Sequence, residues 1–307
     1  MTRREAKDVG ASVRQRLLNK ARQTGRPFGE LLQYFAMERF LYRLSKSPHA
    51  DKFVLKGALM LSVWNSPVSR PTMDIDVLGH TDNSLDAIGA IIKDVCRRAV
   101  EPDGLMFDAD SVLAERITED ADYEGVRVRF RGNLGSARIT MQLDVGFGDV
   151  VVPAAELWDY PTILELPAPH LLGYSRESMV AEKFEAMVKL GILNSRMKDF
   201  FDVWLLSRYF DFDGQILTEA IARTFSARGT EIPRVPTALT PAFASDTAKA
   251  TQWRAFTRKT RISGAPEELE EVIVSIAGFL MPIVEALADS RRFNAFWKAP
   301  GPWRLQR

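Results

Sequence analysis

The stretch from Phe53 to Leu78 constrains the fold of this chain more than any other. It begins with a short apolar run, passes through a glycine turn and ends in a strand-like segment that contains Asp74 and Asp76. Alternation with a period of two places both aspartates on one face of that strand and apolar residues on the other. Two carboxylates this close repel each other unless a cation lies between them. The segment predicts a metal site, although an exposed strand with an acidic outer face is the alternative for this pair alone.

Two further features favour the metal site. Gly57 lies between a strand-like run and a short apolar helix, where it lets a phosphate approach backbone N–H groups at the helix N-terminus. A third carboxylate, Asp144, lies between two apolar residues in a later strand-like segment. This combination resembles the layout of the polymerase β-like nucleotidyltransferases. The resemblance implies an α+β fold with a mixed sheet and flanking helices.

The composition is that of a soluble globular protein with room for two domains: 307 residues, 46% hydrophobic, 26% charged and a net charge of +1. A single cysteine, Cys96, excludes an intramolecular disulfide framework and suits a reducing cytoplasm. The N-terminus does not resemble a signal peptide. The longest apolar run, Val272–Val284, is interrupted by Ser275 and Pro282, so we expect it to be too short to span a bilayer and to form a buried helix. We therefore expect a cytoplasmic protein without a membrane segment.

Hydrophobic periodicity predicts two helices between Ala11 and Leu44, separated at the Gly25–Pro27 break. Further helices are predicted over Asn83–Ala99, Glu177–Leu190, Arg196–Phe210, Thr247–Thr260 and Glu267–Ala288. The segments Val126–Arg131 and Ala137–Val145 predict a β-hairpin that carries Asp144 near its end. Arginines at alternate positions of its first strand are expected to face solvent, with a nucleotide or RNA groove as the alternative. These are Arg127, Arg129 and Arg131.

Three prolines between Ala154 and Gly173, together with Pro153 just before them, predict an extended linker. We place the domain boundary there. By the resemblance to the polymerase β-like nucleotidyltransferases, we expect residues 1–160 to form a nucleotidyltransferase domain with its N-terminal helices, and residues 161–307 to form an all-helical domain. The active site is expected in the cleft between the two.

The first two helices of the predicted helical domain carry a second cluster of charges. Lys183 lies in an otherwise apolar helix between Glu182 and Glu185. On the next helix Asp199 and Asp202 are three positions apart and share a face. A salt-bridged helical hairpin explains the two glutamates and Asp202 equally well. Lys183 and Asp199 are the members of this cluster that we expect to be functional.

With both clusters in view, the chain resembles the AbiEii/AbiGii-type nucleotidyltransferase toxins, which include mycobacterial nucleotidyltransferase toxins. The resemblance covers nearly the whole chain. Its motifs are Phe53-Val-Leu-Lys-Gly-Ala58, Arg70-Pro-Thr-Met-Asp-Ile-Asp76, Leu143-Asp-Val145, Ala181-Glu-Lys-Phe-Glu-Ala186 and Ser195-Arg-Met-Lys-Asp-Phe-Phe-Asp202. One departure is Ala58, where the superfamily often has serine, so that a phosphate would be held there by backbone N–H groups alone.

The resemblance implies the site residues and their roles. Asp74, Asp76 and Asp144 would hold one or two Mg²⁺ ions, with Asp144 facing the acceptor hydroxyl. Lys183 would contact the phosphates of an NTP, and Asp199 would orient Lys183 or contact the base or ribose. Additional nucleotide contacts are expected at Lys56, Gly57, Arg70 and Thr72.

The implied function is that of a toxin, paired with a cognate antitoxin, that transfers a nucleoside monophosphate from an NTP to the 3′ end of tRNA. Two alternatives stay open at this point. The same fold modifies a protein side chain or a small molecule, or the chain is a non-catalytic module that binds a nucleotide or the antitoxin. Four basic residues are candidates for contacting an acceptor stem, although a solvated helix face explains them as well. These are Arg254, Arg258, Lys259 and Arg261.

Overall fold

The computed structural model describes residues 3–68, 70–118, 124–260, 262 and 264–305. Contacts divide the chain into two compact units, each assembled from three separate segments. The first unit comprises Met1–Trp64, Thr72–Gly148 and Glu156–Gly173, and the second comprises Asn65–Pro71, Asp149–Ala155 and Tyr174–Arg307. The chain therefore changes unit five times.

The first unit consists of a seven-stranded mixed sheet with helices. Its helices are α1 (Arg3–Thr24), α2 (Phe28–Ser45), α3 (Leu59–Val63) and α4 (Leu85–Arg97). Its strands are β1 (Phe53–Lys56), β2 (Ile75–Gly79), β3 (Leu105–Thr118), β4 (Glu124–Leu134), β5 (Ala137–Gly146), β6 (Glu156–Asp159) and β7 (His170–Gly173). The strand order is β3-β4-β5-β2-β1-β7-β6, with β2–β5 and β1–β7 parallel. The predicted α+β fold with a mixed sheet is confirmed.

The core of this unit lies on the apolar face of the sheet. Phe40 of α2, Phe107 of β3 and Phe130 of β4 form an aromatic cluster with ring centroids 4.8–5.9 Å apart. The alternation of β4 and β5 places apolar residues on this face and leaves polar residues on the other. The hairpin predicted from that alternation is confirmed, and a two-residue turn connects Leu134 to Ala137.

Helix α2 also buries charge. The carboxylate of Asp103 accepts hydrogen bonds from Arg39 Nε at 3.0 Å and from Arg43 Nη1 at 2.7 Å. The fully buried Glu38 accepts a hydrogen bond from the Ile163 backbone N–H at 2.7 Å, which ties the β6–β7 connection to α2. Burial raises the pKa of Glu38 to about 7, although this hydrogen bond and the neighbouring Arg39 act in the opposite direction.

The segment predicted as a linker is part of the first unit instead. Strand β7 pairs in parallel with β1, and β6 pairs with β7 to form one edge of the sheet. Both strands have only four residues, and β6 is mostly exposed. Such short strands between prolines give no clear alternation, so the sequence pattern favoured a linker and was wrong here.

The second unit is mainly helical. Its helices are α5 (Arg176–Leu190), α6 (Met197–Tyr209), α7 (Gly214–Ala227), α8 (Pro241–Ala244), α9 (Thr247–Thr260) and α10 (Leu269–Ala288). The predicted C-terminal helices are confirmed, and Gly191 ends α5 with a φ of 48°. The all-helical prediction omitted a three-stranded sheet of β8 (Phe212–Asp213), β9 (Ala295–Trp297) and β10 (Trp303–Leu305). Aromatic rings of Phe279, Trp297 and Trp303 pack between α10 and this sheet.

Helix α10 corrects the expectation drawn from its apolar run. It has 20 residues and contains Pro282, so its length and composition would allow it to cross a membrane. A single helix of this kind is weak evidence for a membrane segment, because core helices have the same properties. Within the second unit its residues Ile276, Phe279 and Ile283 are fully buried. The predicted buried helix is therefore observed, although the argument from insufficient length was wrong.

Candidate active site

Strand β2 presents the two predicted carboxylates of the first unit. Asp74 immediately precedes the strand and Asp76 is its second residue, while Ile75 and Val77 are buried. Thr72 lies just upstream, where its hydroxyl accepts a long hydrogen bond from the Asp74 backbone N–H at 3.4 Å. Its own N–H donates to the Tyr34 hydroxyl at 3.1 Å. The structure therefore gives Thr72 a local role in shaping the entry to β2, and its predicted phosphate contact stays a prediction.

Sheet register brings Asp144 next to this pair. Asp76 of β2 lies opposite Asp144 of β5 across a parallel strand pair. On the other side of β2, Asp76 lies opposite Lys56 of β1, and on the other side of β5, Asp144 lies opposite Arg127 of β4. Residues directly opposite in adjacent strands share a face of the sheet. The four side chains therefore form one row across four strands, with two carboxylates in the middle and a cation at each end. We call this set the carboxylate row.

The contacts of Asp144 differ from those expected of an open metal ligand. Arg127 donates to it through both arms of its guanidinium, from Nε to Oδ1 at 2.9 Å and from Nη2 to Oδ2 at 2.6 Å. Gln142 donates to the same Oδ2 at 3.3 Å. Both partners of this ion pair are partly buried, with 24% and 18% of the Arg127 and Asp144 side chains exposed. A bidentate pair of this geometry is among the stronger side-chain interactions.

The other two alternating arginines of β4 are also paired across the sheet. Arg129 contacts Glu115 and Arg131 contacts Asp108, both acids lying on β3. This face of β4 is thus polar and partly exposed, as predicted. Arg129 and Arg131 give no support to the alternative of an RNA or nucleotide groove, since carboxylates neutralise both.

The glycine turn after β1 lies against the carboxylate row. Gly57 has a φ of 69°, a conformation that favours glycine, and a Cβ at this position would overlap the carboxylate of Asp76. Its carbonyl accepts the first hydrogen bond of α3, from Met60 N at 3.1 Å. The absence of a side chain at Gly57 therefore keeps room for the carboxylate of Asp76.

The donor set of the first unit suits a hard divalent cation in its chemistry. Asp74 and Asp76 leave the same face at the start of β2, and Asp144 is the neighbour of Asp76. Among the described residues, however, no three His, Cys, Asp or Glu side chains are already grouped to hold a metal ion. The bidentate ion pair with Arg127 keeps Asp144 in a separate interaction.

In the second unit, helices α5 and α6 bring the predicted Lys183 and Asp199 together. Lys183 Nζ lies 2.8 Å from Asp199 Oδ1 and 2.8 Å from Asp202 Oδ2. Asp199 also pairs with Arg196 at 2.9 Å, and Arg70 holds Asp202 through two hydrogen bonds at 2.8 and 2.9 Å. Both carboxylates are almost completely buried. We call these five side chains the lysine cluster.

Charge balance within the lysine cluster keeps Lys183, Asp199 and Asp202 ionised. Burial alone would lower the pKa of Lys183, but Asp199 and Asp202 outweigh it and raise the pKa above its ordinary value. Burial alone would raise the pKa of Asp202, but Arg70 and Lys183 lower it to about 2. The pKa of Asp199 is likewise lowered by Lys183 and Arg196 against the effect of burial. Lys183 is therefore a fixed cation at neutral pH.

Sequence reasoning missed part of this cluster. Asp202, whose role it left open, is the carboxylate shared by Lys183 and Arg70. Arg196 was not considered, although its position three residues before Asp199 indicates an i,i+3 pair. Arg70, predicted as a phosphate contact, has Asp202 as its partner, and no sequence signal connects positions 132 residues apart.

A second buried ion network accounts for other acidic residues of the second unit. Arg228 at the end of α7 contacts Asp149 at 2.7 Å, Glu185 at 2.8 Å and Glu182 at 3.6 Å. These three acids raise the pKa of Arg228 despite its burial. Asp149 thus lies in a structural network, as do the two glutamates of α5.

The basic residues proposed to contact an acceptor stem lie on or after α9. Arg254, Arg258 and Lys259 are exposed, and Arg254 is 3.8 Å from Glu268. Arg261 lies outside the described residues. A solvated helix face explains the three described positions.

Comparison with known families decides the class. The model of the nucleotidyl transferase AbiEii toxin family, described as a type IV toxin–antitoxin system, matches residues 39–274. The chain belongs to this family. The AbiEii region includes the carboxylate row and all of the lysine cluster. The predicted family and the predicted class of enzyme, a nucleotidyltransferase, are therefore confirmed, and a cognate antitoxin is the expected partner of an AbiEii toxin.

Two solved structures are similar to this AbiEii protein. One is described as a nucleotidyltransferase from H. pylori, with 14% identity and a TM-score of 0.48 over 86% of this chain and 98% of that chain. The other is JHP933 from Helicobacter pylori, with 14% identity and a TM-score of 0.47 over 85% of this chain and 95% of that chain. No curated protein matches the sequence.

Proposed function

We propose that this AbiEii protein transfers a nucleoside monophosphate from an NTP to the 3′ end of tRNA, in the cytoplasm. The observation that carries the reaction is the register of β2 and β5, which places Asp76 directly beside Asp144 with Asp74 two residues upstream. Three carboxylates on one face of adjacent strands are a suitable ligand set for Mg²⁺. The tRNA acceptor rests on the resemblance described above.

The carboxylates are assigned to the reacting end of the nucleotide. Asp74, Asp76 and Asp144 would hold one or two Mg²⁺ ions, which when bound lower the pKa of an attacking hydroxyl and neutralise the leaving pyrophosphate. The acceptor oxygen forms a bond to the α-phosphorus and the bond to the pyrophosphate oxygen breaks. Asp144 is assigned to the acceptor side. Displacement at phosphorus depends mainly on positioning and charge neutralisation.

Lys183 is assigned to the nucleotide phosphates. An ammonium group has three donors, and Asp199 and Asp202 engage two of them. The third is the one we assign to a phosphate oxygen. The raised pKa of Lys183 keeps the charge in place at neutral pH. Asp199 is a positioning residue in this scheme, because it fixes the direction of the amine.

The test is incubation of the purified protein with total tRNA, Mg²⁺ and each α-³²P-labelled NTP in turn. Asp74→Ala should abolish labelling, and EDTA should do the same to the wild type. Asp110→Ala is the matched control, because this carboxylate is 93% exposed and lies outside the carboxylate row. Thermal unfolding of each variant separates a lost reaction from a lost fold.

The labelled product decides between the hypotheses. Label on tRNA that needs Asp74 establishes the reaction and identifies its donor nucleotide. Label on a protein or a small molecule would refute the tRNA acceptor and keep the nucleotidyl transfer. A folded wild type that turns over no NTP with any acceptor would refute the catalytic assignment.

A further inference from the structure

Arg127 occupies the position where a cation would be expected to bind Asp144. Its guanidinium engages both carboxylate oxygens, at 2.9 and 2.6 Å, and Gln142 adds a third donor to Oδ2. The pair is built into the hairpin, because Arg127 and Asp144 are directly opposite in the β4–β5 register. A divalent cation that binds Asp144 must therefore displace at least one arm of this guanidinium.

The charges of the row explain why the protein carries such a pair. Adjacent strands are about 4.8 Å apart, so ionised Asp76 and Asp144 repel each other when neither is neutralised. Arg127 and Lys56 flank them from the two neighbouring strands. The fold thus places one of its own cations beside each carboxylate, and this lowers the gain from binding a free cation.

We infer that Arg127 is a built-in competitor for the divalent cation at Asp144, and that nucleotide phosphates draw its guanidinium away when cation and nucleotide bind together. This rests on the proposed function, which makes Asp144 a metal ligand. A triphosphate offers the released guanidinium a bidentate partner as good as the carboxylate. The free protein then binds the cation weakly, and NTP and cation bind with positive coupling.

The experiment measures Mn²⁺ affinity of the full chain by calorimetry and by electron paramagnetic resonance, without nucleotide and with a non-hydrolysable NTP analogue. Arg127→Gln should bind Mn²⁺ about tenfold more tightly without nucleotide, because the cation no longer has to displace a charge-assisted bidentate partner from Asp144. The same variant should lose most of the tightening that the analogue produces in the wild type.

Arg129→Gln is the matched control. It removes the same charge from the next position on the same face of β4, but Arg129 lies opposite Gln142 and pairs with Glu115. Its Mn²⁺ affinity should stay within about twofold of the wild type, since an exposed charge farther from the site is screened by solvent.

A double-mutant cycle with Asp144→Asn isolates the competition. In the Asp144→Asn background, Arg127→Gln should leave Mn²⁺ affinity unchanged. An equal gain in both backgrounds would show a general charge effect and overturn the inference, as would unchanged or weaker Mn²⁺ binding by Arg127→Gln alone. Because the readout is binding, a protein that shows the shift but transfers no nucleotide would refute only the proposed function. Transfer without the shift would refute only the competition.

Discussion

Arg70→Gln tests whether the lysine cluster depends on its buried ion pair. The guanidinium donates from Nε and Nη2 to the two oxygens of Asp202, at 2.8 and 2.9 Å. The Asp202 side chain has no exposed surface and that of Arg70 is 10% exposed. Glutamine at position 70 removes the charge and leaves Asp202 with Lys183 as its neutralising partner.

The magnitude follows from the pKa of Asp202. Its decrease from 3.8 to about 2 corresponds, at about 1.4 kcal/mol per unit, to about 2.5 kcal/mol of stability at neutral pH. Arg70 is the largest of the influences that lower this pKa. Removing one partner of a buried pair costs about 3–5 kcal/mol, because a buried charge loses its compensation. We expect Arg70→Gln to lower the free energy of unfolding by about 3 kcal/mol.

The sign of the pH dependence provides a second readout. A carboxylate with a lowered pKa stabilises the fold above its unfolded pKa, and this stability is lost as the pH falls through the folded value. The difference between wild type and Arg70→Gln should therefore be constant above about pH 5 and shrink towards pH 2. Urea unfolding at pH 7.5, 5 and 3, followed by circular dichroism, measures it.

Arg196→Gln is the matched control for this experiment. Arg196 pairs with Asp199 at 2.9 Å, but 37% of its side chain is exposed, so we expect a loss of about 1 kcal/mol or less. Nucleotide transfer by Arg70→Gln should fall as well, since Asp202 no longer fixes Lys183 in the same direction. The reasoning is refuted if Arg70→Gln destabilises the protein no more than Arg196→Gln does.

Two other predictions concern the first unit. The rise in the pKa of Glu38 from 4.5 to about 7 corresponds to about 3 kcal/mol of unfolding free energy. This contribution is fully present below pH 4.5 and is lost as the pH rises through 7. Glu38→Gln should therefore flatten the decline in unfolding free energy between pH 5 and 8 in urea titrations; an unchanged slope would contradict it. Gly57→Ala should abolish nucleotide transfer, because the added Cβ displaces the carboxylate of Asp76. Gly135→Ala is its control: Gly135 also has a positive φ, of 60°, but open space surrounds it, so this variant should lose only about 1–2 kcal/mol of stability and keep its activity. Equal activity of the two glycine variants would show that the room beside Asp76 is not needed.

The sequence pattern predicted the features that depend on residues close together in the chain. The alternation around Asp74 and Asp76, the hairpin that carries Asp144 and most helices follow from periodicities of two and 3.6 residues. The pairing of Arg127 with Asp144 was also within reach: the two-residue turn between Leu134 and Ala137 sets a register that places these residues opposite each other. The predicted first strand ended at Arg131, three residues before the observed end of β4, so the predicted hairpin did not fix the register that brings the pair together.

Interactions between distant segments were beyond the sequence pattern. Strand β7 joins β1 over a separation of more than a hundred residues, and its four residues provide no alternation of their own. Arg70 pairs with Asp202 over 132 residues of sequence, and Arg228 pairs with Asp149 over 79. Such pairs depend on the finished topology, so one sequence without aligned relatives cannot distinguish them from exposed charges.

The five passages of the chain between its two units have a consequence for synthesis and engineering. A ribosome must translate as far as Gly173 before the last strand of the seven-stranded sheet exists, well past the carboxylates of β2 and β5. A fragment that stops at residue 160 lacks the parallel neighbour of β1 and leaves the glycine-turn strand at an open edge. Premature termination before Gly173 should thus yield an inactive polypeptide with an exposed sheet edge that is prone to aggregate.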